Sequence, residues 1–294
     1  MLDSIKKVNR KNNPKSRFSI LIPSWNNLDY LQLCVNSILK NSYFEHQIIA
    51  VVNEGIDGTL DWIESQKDID YIHAEKNIGI CYALNICRSL IATDYVVYAN
   101  DDMYFLPNWD KVLMDEIQKI GHNQFMLSAT MIEPSGNNPC TVISDYGTDI
   151  NSFREQDLLK NQEALFRDDW SGSTWPPNVI HLDNWDLVGG MSIEYSPGMY
   201  SDPDLSRKLW EIGVRIFIGK GNSLVYHFGC KSTKRIKKNK GQKNFVLKWG
   251  ISAKTFMEKY LLRGQPAIDK LPERALSKAE KITQVIKKLK ASIF

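Results

Sequence analysis

The 294-residue sequence predicts an α/β fold, a parallel sheet flanked by helices with a helical extension at its C-terminal end. Three observations carry this. Four short apolar runs in the first hundred residues are separated by segments whose apolar residues recur at helical spacing, the pattern of right-handed βαβ units. At 43% hydrophobic residues the chain can bury one sizeable core with an appended helical piece. Beyond residue 240 the sequence reads as helix alone.

The elements follow in order. Phe18–Ile22 is a strand, and Leu28, Leu31, Val35, Ile38 and Leu39 mark a helix opened by Asn26 or Asn27. Gln47–Val52 is β-branched and apolar. Asp57-Gly-Thr starts a short helix with Leu60 and Ile63, and Tyr71–His73 is a brief strand. Ile80, Ala83, Leu84, Cys87 and Ile91 give the next helix, and Tyr95–Ala99 the fourth strand. Asn108 caps a helix to Ile120, and Phe125–Ala129 is a further strand. Residues 130–200, rich in Pro, Gly, Asn and Trp, read as a long irregular stretch walling a substrate site. Pro203–Ile212 is a helix, Val214–Ile218 and Leu224–Tyr226 are strands, and Asn244–Leu262 and Glu273–Leu289 are helices.

The net charge of +3 conceals a division. Residues 231–294 hold 18 Lys/Arg against 4 Asp/Glu, and residues 1–17 hold 6 against 1. The body, 18–230, holds 13 against 29. Basic ends around an acidic body suit an anionic partner surface, or are simply solvated. The five cysteines (34, 81, 87, 140 and 230) lack metal-type pairing, and Cys34, Cys81 and Cys87 fall in apolar helical patterns. They read as reduced core residues of a cytosolic chain. The first 17 residues do not resemble a signal peptide, and no run approaches the about 18 apolar residues of a membrane span.

Certain residues point to chemistry. Asn100-Asp101-Asp102 follows the fourth strand directly, and ligands of open α/β sheets bind beyond the carboxyl ends of strands. Two adjacent carboxylates there suit a hard cation, Mg²⁺ or Mn²⁺, or else cap the next turn. His227 closes a strand and is either structural or, where it meets Asp102, a ligand. Asp202 precedes Pro203 in an N-cap arrangement, and it is also placed to act as a general base. Trp170, Trp175 and Trp185, with the turn Trp175-Pro-Pro177, either stack on sugar faces or pack the core.

These motifs form an ordered set. Pro23-Ser-Trp-Asn26, Asn53-Glu-Gly-Ile-Asp-Gly-Thr59, Asn77-Ile-Gly79 with Ala83 and Asn85, and Asn100-Asp101-Asp102 follow the four strands. Gly189-Gly190, Asp202-Pro-Asp204-Leu with Arg207 and Gly213, and Val225-Tyr-His227 come later. Together, over residues 18–230, they resemble the family-2 glycosyltransferases, and Glu194 to Lys234 is similar to one bacterial branch of that family. The resemblance implies a GT-A fold, a mixed sheet of the nucleotide-diphospho-sugar transferase type. It implies a donor half at 18–105 and an acceptor half at 106–230; outside the resemblance lie the basic tail at 1–17 and a basic loop with C-terminal helices at 231–294. It further implies that Pro23, Ser24, Trp25 and Asn26 line the nucleoside pocket, with Asn53, Asn77, Asn85 and Asp101 also on the donor. Asn53 stands where the family usually has an Asp reading uracil, so the case for UDP is weakened but kept. Asp102 and His227 would hold the divalent metal, and Asp202, or Asp204 two residues on, would be the base of an inverting displacement.

The implied partners are a nucleotide sugar and a glycan or lipid-linked acceptor in cell-surface polysaccharide synthesis, with no nucleic acid. The protein is expected in the cytoplasm, with its basic C-terminal helix on the inner face of an anionic membrane or packed on the body. The run Lys231–Lys243 would add to that field or fold over the donor as a lid. Two other readings stand beside this one. A nucleotidyltransferase would carry a Gly-rich basic loop after the first strand, which Pro23–Asn26 lacks. A non-catalytic sugar- or membrane-binding module would not need Asp102, Asp202 and His227.

Overall fold

The computed structural model describes residues 5–10, 15–229 and 239–293. Among them eleven strands form one mixed sheet. Its first half is β2 (Phe18–Trp25), β3 (Gln47–Asn53), β4 (Asp70–Ala74) and β5 (Tyr95–Tyr98), paired in parallel in the order β4-β3-β2-β5. The crossovers are α1 (Leu28–Asn41), α2 (Thr59–Ser65) and α3 (Gly79–Ile86). Alternation along β2 sends Ile20 and Ile22 to one face and Leu21 to the other. One face packs against Leu31, Cys34, Val35 and Ile38 of α1, the other against Cys81, Ala83 and Leu84 of α3. Ile5–Val8 forms a further strand, β1, antiparallel to β4, so the basic N-terminal segment contributes the edge of the sheet.

The second half is β6 (Met103–Phe105), β7 (Phe125–Glu133), β10 (Asn178–His181) and β11 (Ile216–His227), in the order β5-β10-β7-β11-β6. Here the structure corrects the reading of residues 130–200 as irregular wall. β10 is a central strand, antiparallel to both β5 and β7, and β8 (Val142–Ile143) and β9 (Trp170–Ser171) pair at its periphery. The separate strands expected at 214–218 and 224–226 are one strand, β11, irregular between Lys220 and Leu224. Helices α4 (Trp109–Ile120), α5 (Glu155–Lys160), α6 (Leu182–Val188) and α7 (Ser201–Glu211) cover this half.

The single helix expected over 244–262 is broken. Gly250, at φ 71°, ends α8 (Gly241–Trp249); Ser252 then caps α9 (Ala253–Thr255), which runs into a π-turn over Phe256–Tyr260. The last helix, α10 (Lys278–Ile293), begins five residues later than expected because Ser277 and Glu280 form a reciprocal capping box. Neither Asn27 nor Asn108 caps with its side chain. Asp57 does that work for α1, accepting from the Leu28 N–H at 2.9 Å.

Candidate active site

Because β2, β3, β4 and β5 are parallel, the loops after them open on one edge of the sheet, where such folds bind ligands. Side-chain amides knit these loops together. Asn53 donates to the Ser24 carbonyl at 3.2 Å and accepts from the Ile78 N–H at 3.0 Å, joining the ends of three strands. Asn26, at φ 45°, accepts from the N–H groups of Gly55 and Ile56 at 2.9 and 3.0 Å and donates to Glu54. Asn77 closes a turn onto the Gly79 N–H. Asn85 makes paired bonds of 2.7 Å with the N–H and carbonyl of Met191, fixing the Gly189-Gly190 loop. All four of the expected donor-binding amides therefore hold loops in shape. Ser24 differs: its hydroxyl is buried and finds no partner among the described residues.

Asp101 and Asp102 are buried where the chain passes from β5 to β6. The β6–β11 register sets His227 opposite Met103, and its Nε2 lies 3.4 Å from Asp102 Oδ1. The sequence left open whether His227 meets Asp102; the fold brings them together. Glu133, at the end of β7, holds His227 Nδ1 at 2.9 Å. This carboxylate was missed, since nothing local to the end of β7 marks it. A proton shared between Nδ1 and Glu133 turns the Nε2 lone pair toward Asp102, the arrangement of metal-ligating histidines. Among the described residues no group of three or more His, Cys, Asp or Glu surrounds one point. The chain thus offers two donors, Asp102 and His227, a spacing one small cation can bridge. That fits an ion completing its shell with water and phosphate oxygens.

Asp202 lies in the first turn of α7 and is not its N-cap, as the sequence suggested. Tyr200, at φ 75°, makes the turn instead, and no side chain caps the helix. Asp202 Oδ1 is sealed from solvent with no hydrogen-bond partner among the described residues, and burial pushes the carboxyl up to about 7. Asp204 is the opposite case. It is fully buried and saturated, accepting from Ser192 Oγ at 2.5 Å, Trp249 Nε1 at 2.7 Å and Lys248 Nζ at 3.0 Å. Tyr98 links the two acidic groups. Its hydroxyl donates to Asn100 at 3.0 Å, and its pKa is raised by burial, then by the charge of Asp202, with Asp102 and Asp101 adding to it. The three carboxylates therefore act on one buried phenol.

The tryptophans divide. Trp170 is buried and donates to Thr130 Oγ1 at 2.8 Å, and Trp185 is buried against Gly190, so both are core. Trp175 is half-buried beneath the Arg263 guanidinium at 5.3 Å. The lid suggested for Lys231–Lys243 falls largely outside the described residues, as does Cys230. Burial raises the pKa of Cys34, Cys81, Cys87 and Cys140, as expected of unreactive core thiols.

The sheet order and strand directions are those of a GT-A nucleotide-diphospho-sugar transferase. Residues 19–170 match the family described as "Glycosyl transferase family 2", and the chain belongs to it. It is similar to the Escherichia coli protein named as the colanic acid biosynthesis glycosyl transferase WcaA, 27% identical over 63% of this chain and 68% of that one. It also resembles the Bacillus subtilis protein named as the teichuronic acid biosynthesis glycosyltransferase TuaG, 29% identical over 36% of this chain. That alignment spans 41% of the B. subtilis protein. Among solved structures, S. aureus TarS 1-349 in complex with UDP superimposes with a TM-score of 0.57 at 12% identity, over 93% of this chain and 70% of that one. GalNAc-T7 with UDP, GalNAc and Mn²⁺ does so with a TM-score of 0.57 at 15% identity, over 93% and 55%. At such identities the likeness speaks for the fold.

Proposed function

We propose that the protein transfers a sugar from a nucleoside diphosphate, UDP by preference, to a hydroxyl of a glycan or lipid-linked glycan, inverting the anomeric centre. The observation that carries this reading is the meeting of Asp102 with His227, itself held by Glu133, at the carboxyl edge of a parallel sheet, with Asp102 and Asp202 both acting on the buried Tyr98. The names of the two bacterial relatives support an acceptor in cell-surface polysaccharide synthesis, and the UDP complexes among the structural neighbours support the nucleotide.

In this mechanism Ser24, near the C-terminal end of β2, hydrogen-bonds the nucleoside with its hydroxyl. Asp102 and His227 would hold a divalent cation, Mn²⁺ or Mg²⁺, which when bound neutralises the charge gathering on the leaving diphosphate. Asp202 accepts the proton of the acceptor hydroxyl. The acceptor oxygen forms its bond to the anomeric carbon as the bond to the diphosphate breaks, the electron pair leaving with the diphosphate. No covalent nucleophile is needed. A base near pKa 7 suits that step, because it is both ionised and basic enough near neutrality. Asp204, saturated by three donors, serves as the anchor of α7. The enzyme would work in the cytoplasm, at the inner face of a membrane when its acceptor is lipid-borne.

Asp202→Asn and Asp204→Asn, assayed side by side for turnover of UDP-sugars with Mn²⁺, test the assignment of the base. Loss confined to the first supports it. An active Asp202→Asn beside an inactive but folded Asp204→Asn would move the base to Asp204.

A further inference from the structure

α10 is amphipathic, and it is mounted with its faces reversed. Gln284 is the buried residue of the helix, accepting from the Ser252 N–H at 3.0 Å and donating to Thr255 Oγ1 at 3.1 Å. Lys287 reaches Ser252 Oγ at 3.2 Å, and Glu280 lies 3.3 Å from Lys259. The polar face is thus the one held to the body. At about 100° per residue the stripe Ile282, Val285, Ile286, Leu289 and Ile293 centres roughly 150° around the helix from Gln284. Those five side chains are 61%, 57%, 48%, 58% and 72% exposed. A helix that only covered a core would turn this stripe inward; here it forms a continuous apolar ridge in water, which marks an interaction surface.

We propose that α10 is a docking helix whose outward stripe enters the interface of an anionic bilayer. Charge selects this occupant. Residues 271–293 carry six Lys/Arg and two Glu, and Lys281 and Lys290 flank the stripe on the helical wheel. A second copy laid stripe to stripe would bring these lysines against their own kind, whereas anionic headgroups beside an apolar layer satisfy both features. The attachment to the site is packed throughout. α10 is pinned to Ser252 and Thr255, and the turn that follows supplies Phe256 and Tyr260. With Trp249 these rings enclose the Arg207 guanidinium of α7, at 5.2 Å from Phe256, 5.4 Å from Tyr260 and 5.6 Å from Trp249. Trp249 also holds Asp204, two residues from Asp202. The bilayer would therefore lie at a set distance from the proposed base, as a lipid-borne acceptor requires; that last step rests on the transferase reading, the docking itself does not.

The full chain is mixed with sedimentable vesicles of phosphatidylcholine, with and without phosphatidylglycerol, at low and high salt. The wild type should pellet with the anionic vesicles at low salt. Binding should fall about tenfold or more in Val285→Asp/Leu289→Asp and in Lys281→Glu/Lys290→Glu, given roughly a tenfold effect per 1.4 kcal/mol and up to about 1 kcal/mol per surface lysine. Both variants alter solvent-facing side chains and should melt like the wild type. Donor hydrolysis in solution should be unchanged in both. Vesicle binding without any donor hydrolysis would leave docking standing and remove the transferase reading. Docking is overturned by a wild type that ignores anionic vesicles, by equal binding of wild type and both variants, or by a vesicle-free dimer that Val285→Asp/Leu289→Asp dissolves.

Discussion

A carboxyl group sealed on one oxygen and pushed up to about 7 changes charge within the physiological range, and this gives Asp202 two linked signatures. Turnover should rise with pH through about 7 as the base ionises. Stability should move the other way. Between its unfolded value of 3.8 and its folded value of about 7, the group holds more protons folded than unfolded, so its burial costs stability as pH rises across that window. Asp202→Asn should therefore lose about 10²-fold or more in turnover. Its melting temperature should match the wild type at pH 4 and exceed it at pH 8, measured by thermal scans at both. For the proposed metal pair, Asp102→Asn should abolish transfer with the fold intact. Glu133→Gln should weaken Mn²⁺-dependent donor binding by about 10–100-fold, the usual effect of removing the partner that orients a ligating histidine. Titration of donor with and without EDTA checks both, and a Glu133→Gln enzyme that binds donor and Mn²⁺ normally would separate Glu133 from the site. At this scale Asp102, His227 and Asp202 were legible as candidates because strand ends and helix starts mark themselves in sequence. Glu133 and Tyr98 were not, because their roles exist only through partners on distant strands. Asn26, Asn53 and Asn85 read as donor ligands, and the bonds their amides make to neighbouring loops were not legible, because those loops follow other strands.

Among the elements, α7 matters most, because it carries Asp202 and is held from three sides. Lys208 donates to the carbonyls of Val188 and Gly190, Ser192 donates to Asp204, and α8 supplies Lys248 and Trp249. Removing Lys248 leaves the fully buried Asp204 short of its cation, and breaking such a pair costs on the order of 3 kcal/mol. Lys248→Met should lower the unfolding midpoint in urea accordingly and reduce turnover with it, although Lys248 lies in the C-terminal extension. Unchanged stability would mean that the Lys248–Asp204 pair does not hold α7 in place. Gly190→Ala should be equally harmful, since a Cβ there, at φ 61°, would run into the Asn85 amide oxygen and the Trp185 ring. The elements with strong periodicity, α1, α3, α4 and the first-half strands, were legible. β10 was not: four residues between a Pro-rich turn and a helix carry too little pattern to reveal a strand buried between two others. The break in the 244–262 helix turned on a single glycine in the left-handed region.

On the scale of the whole molecule, the parallel half of the sheet gathers its loops on one edge, β10 enters antiparallel between β5 and β7, and the paired β7 and β11 bring Glu133 and His227 round to Asp102. Charge follows the same division: the acidic body holds the site, and the basic C-terminal part turns an apolar ridge outward. The central claim is that this edge activates a nucleotide sugar with Asp102, His227 and Asp202. Its most direct test is slow hydrolysis of a panel of nucleotide sugars with Mn²⁺ by wild type, Asp102→Asn and Asp202→Asn. The account predicts that one donor, a UDP-sugar, is cleaved by the wild type, that EDTA stops the reaction, and that neither variant supports it. Wild-type cleavage that persists in EDTA and in both variants, or a wild type that neither binds nor cleaves any donor, would contradict it.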